Sequence, residues 1–68
     1  MKGAEFIRQA RRWAGARELP VKVVASRGKG GHQTLYVGDR LTVVQTGEIP
    51  KGTFHAMLRQ LGIPKEEF

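Results

Sequence analysis

The apolar residues of this chain change period twice, and that change limits the folds open to it. Between Gly3 and Ala16 they fall at Phe6, Ile7, Ala10, Trp13 and Ala14, the spacing of one helix face. From Val21 to Gln45 they alternate, and β-branched residues cluster in VKVVAS and LTVVQ. At Phe54, Met57, Leu58 and Leu61 the spacing returns to i, i+3, i+4, i+7. With 68 residues the chain supplies one thin core, so both helical stripes must be buried on the same side of one sheet. The pattern predicts a single α+β domain over residues 1–68, in the order α-β-β-β-α, with two helices on one face of a three-stranded antiparallel sheet.

Punctuation sets the expected boundaries. Gly3 is placed as the N-cap of the first helix, with Glu5 in the first turn suiting the helix dipole. Pro20 cannot lie inside a helix, so the first strand is expected at Val21 to Ser26. The second strand runs from His32 to Val37. Gly38-Asp39-Arg40 makes a short hairpin connection, and the third strand covers Leu41 to Gln45. The second helix starts between Lys51 and Thr53. It ends at Gly62, where Ile63 closes the cap and Pro64 prevents continuation. Lys65 to Phe68 is left as either a further turn or a frayed end. With Val23, Leu35, Val37 and Val43 inward, the open sheet face is expected to carry His32, Thr34, Tyr36, Lys22, Ser26 and Thr42.

Charge narrows the partner. The net charge is +6, and residues 1–40 carry all of it, with nine Lys and Arg against three Asp and Glu; residues 41–68 hold three of each. A basic half on a neutral scaffold points to nucleic acid, or failing that to an acidic protein. Arg8, Arg11 and Arg12 form a basic stripe on the first helix, suited to phosphates or simply to solvent. The absence of cysteine rules out disulfides, thiolate metal sites and thiol nucleophiles. Two histidines and scattered acids give no metal-ligand spacing, so neither metal nor cofactor is expected. No apolar run is long enough for a membrane span or a signal-peptide core, which leads to an expectation of a soluble, cytoplasmic protein without a membrane partner.

The stretch Arg27 to Gly38, RGKGGHQTLYVG, concentrates the chemistry. Gly28, Gly30 and Gly31 let a backbone come close to a phosphate, and Lys29, with Arg27 in reserve, supplies positive charge. His32 follows at the start of a strand. An imidazole is suited to moving protons near neutral pH, and RNA carries its own nucleophile in the 2′-hydroxyl. His32 is therefore the candidate general acid or base, and Lys29 the candidate electrostatic stabiliser. The competing reading of the same residues is a glycine-dependent hairpin turn beside an inert surface histidine. Gly28 to Gly31 also matches a GXXG loop, but that loop joins helices in KH domains and here it joins strand patterns. Lys22 and Tyr36 are further candidates for RNA contact; Tyr36 suits base stacking or ordinary cross-strand packing. His55, off the second helix's apolar stripe, is expected to be exposed and without a catalytic role.

Three segments, KGAEFIRQARRW, RGKGGHQTLYVGDR and GTFHAMLRQLGI, together resemble the HicA-type (YcfA-like) mRNA interferase toxins of type II toxin–antitoxin pairs. The resemblance implies a fold like that of double-stranded-RNA-binding domains, whose topology is also α-β-β-β-α. It implies ribosome-independent cleavage of mRNA, and inhibition by a HicB-like antitoxin that covers the histidine. Carried over residue by residue, the family's catalytic position falls on His32 alone. The family's motif places Ser or Thr just before that histidine; this chain has Gly31 there, and Gln33 follows where some members have a second histidine. The alternatives to a toxin nuclease are a non-catalytic RNA-binding module of the same fold and a degenerate toxin that retains only antitoxin binding.

Overall fold

The described residues form five elements and a terminal turn: α1 (Gly3–Ala16), β1 (Val21–Ala25), β2 (His32–Val37), β3 (Arg40–Gln45), α2 (Lys51–Leu61) and a 3₁₀ turn at Lys65–Glu67. The structure is a computed structural model that describes residues 1–25 and 31–68. The strands form one antiparallel sheet in the order β1-β2-β3, so the expected α-β-β-β-α layout is the observed one. Ser26, expected in the first strand, lies outside the described residues.

Gly3 is the first helical residue of α1 rather than its cap, and Lys2 precedes it in an extended conformation. The glycine is required by close packing. It is buried, its N–H donates to the Gly47 carbonyl at 3.1 Å, and a Cβ at this position would lie 1.9 Å from the Gln45 carbonyl oxygen. The Ile49 N–H donates to the Met1 carbonyl at 2.9 Å, so the first residues pair with the segment that follows β3.

Both helices end in the same hydrogen-bonded closure. At α2 the Ile63 N–H donates to Leu58 (2.9 Å) and the Gly62 N–H to Arg59 (3.2 Å), with Gly62 left-handed at φ 72°. At α1 the Leu19 N–H donates to Ala14 (2.9 Å) and the Glu18 N–H to Gly15 (3.2 Å). There the left-handed residue is Glu18, at φ 58°, a conformation that a side chain disfavours.

Phe6, Ala10 and Ala14 of α1 and Met57, Leu58 and Leu61 of α2 pack with Leu35, Val37 and Val44 of the sheet. The terminal turn is part of this packing. Phe68 sets its ring 4.9 Å from that of Phe6 and 5.7 Å from that of Phe54. Trp13 and Arg17 hold the same turn: the Trp13 Nε1–H donates to Glu67 at 3.1 Å, and Arg17 pairs with Glu67 at 2.6 Å while lying 4.2 Å over the indole.

The third strand departs from expectation. The hairpin turn contains only Gly38 and Asp39, so Val37 pairs with Arg40 and Leu35 with Thr42. Gly38, at φ 62°, supplies the positive φ that such a two-residue turn needs. This register turns Thr42 inward, 1% exposed, and Val43 outward, 53% exposed, reversing the assignment made from sequence. A buried threonine needs a polar partner, and the Thr42 hydroxyl donates to Gln60 Oε1 on α2 at 2.5 Å.

Candidate nucleic-acid interface

His32 is the first residue of β2 and is exposed. Alternation along the pleat puts it on the face away from the helices, where its cross-strand neighbour is Gln45. Among the described residues no side chain hydrogen-bonds to its imidazole. The ring therefore stands at one end of the open face, available to an incoming strand.

The rest of that face is more apolar than expected. The row Lys22, Tyr36 and Leu41 crosses the sheet at the end remote from His32, and Val24, Thr34 and Val43 form the row between. Tyr36 is four residues along β2 from His32, which at about 3.4 Å per residue separates them by about 14 Å. Lys22 and Tyr36 are thus brought together with one another, but not with His32.

Gly31 leads into β2 at φ 117°, a conformation favouring glycine, and its carbonyl accepts the Thr46 N–H at 2.9 Å. A Cβ here would meet no atom of the described residues within 4 Å, so among them the constraint lies in the backbone. Where the resembled family has a hydroxyl, this backbone is shaped for its absence. Arg27, Lys29 and Gly30, the remaining candidates of the glycine-rich stretch, lie outside the described residues.

On α1, Phe6, Ala10 and Ala14 define the buried side, and at 100° per residue Arg8 and Arg12 project opposite to it. Arg11 falls on the shoulder between. The ion pairs among the described residues are Met1 with Glu48 and Arg17 with Glu67, which leaves Arg8, Arg11 and Arg12 exposed without an acidic partner there. They present a solvent-facing basic ridge suited to a phosphate backbone.

The helices leave part of the inner sheet face uncovered. Both pack over β3, and α1 also over β2, while Val21 and Val23 of β1 are only half-buried and Ala25 is exposed. A groove of about 320 Å³ results, between α1 and β1. Ile7, Val23 and Val44 give it apolar walls, and Arg11, Gln33 and Thr46 give it polar atoms. Gln33 went unselected in the sequence. Its signal was a polar residue on the alternation that Leu35 and Val37 mark as inward.

His55, expected to be exposed, is half-buried with its ring edge against Phe54 at 5.5 Å. Glu48, exposed, has its carboxyl held below the usual carboxylate range, first by the hydrogen bond from the N-terminal ammonium and then by that group's charge. Among the described residues no three His, Asp or Glu side chains come together as a metal site would need, and no helix is long and apolar enough to cross a membrane. No protein-family model, curated protein or solved structure matches the chain.

Proposed function

We propose that this chain is a metal-independent, ribosome-independent endoribonuclease acting on mRNA in the cytoplasm, the toxin of a HicA-type toxin–antitoxin pair. The observation that carries the reading is the exposed imidazole at the first position of β2. His32 takes the proton from a ribose 2′-hydroxyl; the oxygen attacks the adjacent phosphorus, and the bond to the 5′ oxygen breaks. The proton ends on that leaving oxygen, and the products are a 2′,3′-cyclic phosphate and a 5′-hydroxyl. Because RNA provides the nucleophile, the protein has to move a proton and balance phosphate charge. Lys29, three residues before His32 in the chain, is the cation assigned to that charge, and the α1 arginines, on the helix side of the sheet, hold the RNA backbone away from the cleaved bond. The partner that restrains the activity is a HicB-like antitoxin covering the histidine.

The test is expression with and without His32→Ala, together with cleavage of purified RNA in the presence of a chelator. The wild-type chain should arrest growth and cut RNA, and His32→Ala should abolish both. Growth unaffected by the wild-type chain would count against the nuclease. One observation favours a second reading, a module that binds RNA without cutting it: Gly31 brings no hydroxyl to the ring, and no described side chain orients His32. That module would show RNA affinity falling steeply with salt, because several phosphates are bound, and no cleavage.

A further inference from the structure

The groove between α1 and the inner face of β1 is not accounted for by a proton-moving histidine on the opposite face. Its walls are Ile7 from the helix and Val23 and Val44 from the sheet, apolar surfaces contributed by two facing layers. Such a slot accepts a flat ring. Gln33 projects into it from the centre of the sheet, half-buried, and among the described residues its amide has no hydrogen-bond partner. A primary amide offers a donor and an acceptor side by side, the complement of a base edge. Arg11 is also part of the lining, and it is exposed and unpaired among the described residues. An exposed guanidinium on the lining of a slot is placed to meet a phosphate attached to whatever the slot holds.

We infer that this groove is a nucleobase subsite, with the ring between Ile7 and Val23, its edge on the Gln33 amide and its phosphate at Arg11. The inference rests on reading the chain as a protein that acts on RNA. Inorganic phosphate would use Arg11 and leave Gln33 idle, and a lipid tail would leave both idle. Gln33 directly follows His32 with its side chain on the other face, so the groove and the histidine lie at the same end of β2.

The experiment is a ¹⁵N and methyl NMR titration of the full chain with UMP, CMP, AMP and GMP, and with ribose 5-phosphate as the base-free probe. At least one nucleotide should shift the Gln33 side-chain amide and the Ile7 and Val23 methyls saturably, while ribose 5-phosphate should shift Arg11 alone. Gln33→Met keeps the side chain's length and should weaken nucleotide binding about tenfold without changing the ribose 5-phosphate response. Arg11→Gln should weaken both ligands. The assignment is overturned if nucleotides move only His32, Lys22 and Tyr36, if ribose 5-phosphate binds as tightly as the nucleotides, or if Gln33→Met leaves affinity intact. Binding is read without cleavage, so a protein that cuts nothing still decides the groove. One that cuts RNA with a silent groove defeats this inference alone.

Discussion

Gly3→Ala sets two physical effects against each other, and the structure says which wins. Alanine is a better helix residue than glycine by about 1 kcal/mol in a helix interior, and by less at the first position. Against that gain stands the collision: the new Cβ would lie 1.9 Å from the Gln45 carbonyl oxygen, and that neighbour is backbone. Restoring a contact of about 3 Å requires α1 and β3 to separate by about 1 Å at their closest approach, an overpacking cost of about 1–3 kcal/mol. The shift also strains the Gly3 to Gly47 and Ile49 to Met1 hydrogen bonds, each worth about 1 kcal/mol. A net loss of about 2 kcal/mol follows, which for a domain this small lowers Tm by about 8–16 °C. The same substitution at Gly15, in the same helix, meets nothing within 4 Å and should leave Tm unchanged or raise it by a few degrees. Thermal unfolding followed by circular dichroism measures both. A Gly3→Ala protein as stable as the wild type would refute the claim that α1 is seated by direct backbone contact.

Glu18→Gly should stabilise the fold by about 0.5–1 kcal/mol, because Glu18 closes α1 at φ 58° and only its side chain opposes that conformation; denaturant unfolding with an unchanged or lower midpoint would contradict this. Gly31→Ser, which restores the hydroxyl of the resembled motif, should cost about 1–3 kcal/mol through φ 117°, and Gly31→Ala should match it since no described residue comes within 4 Å of a Cβ there. Equal thermal stability of the serine variant and the wild type would show that the backbone there is not confined. The Glu48 carboxyl should titrate below the usual carboxylate range by carbon NMR, and N-terminal acetylation should return it toward that range. Its folded pKa being lowered, the pair's stabilisation is present above the ordinary carboxylate pKa and is lost as pH falls through the lowered value.

The helices were legible because their boundaries depend on local chemistry. Pro20, Gly62 and Pro64 end the helical periods wherever the chain goes next, and α1 spans the residues its spacing marked. The third strand was not legible to the same degree. A three-residue hairpin would pair Val37 with Leu41 and face Val43 inward; the two-residue turn pairs Val37 with Arg40 and inverts every side chain of β3. Hydrophobicity favoured the first arrangement. What permits the second is an acceptor for the Thr42 hydroxyl, Gln60, eighteen residues away on another element. Long-range contact also explains Gly3, whose packing against Gln45 has no local signature, and Phe68, which joins an aromatic cluster with Phe6 and Phe54. For the candidate site, the alternation of β2 placed His32 on the open face. It could not say that Tyr36 and Lys22 stand at the far end, nor that both helices leave β1 uncovered.

The central claim is that an exposed imidazole at the rim of the sheet draws a proton from a ribose hydroxyl. An RNA containing a mapped cleavage site, and the same RNA with one 2′-deoxy sugar immediately 5′ of that bond, test it most directly. The account predicts cleavage of the first to a 2′,3′-cyclic phosphate, none at the deoxy position, and none of either by His32→Ala. Cleavage at the deoxy position, or a His32→Ala protein that still cuts the all-ribose strand, would contradict it.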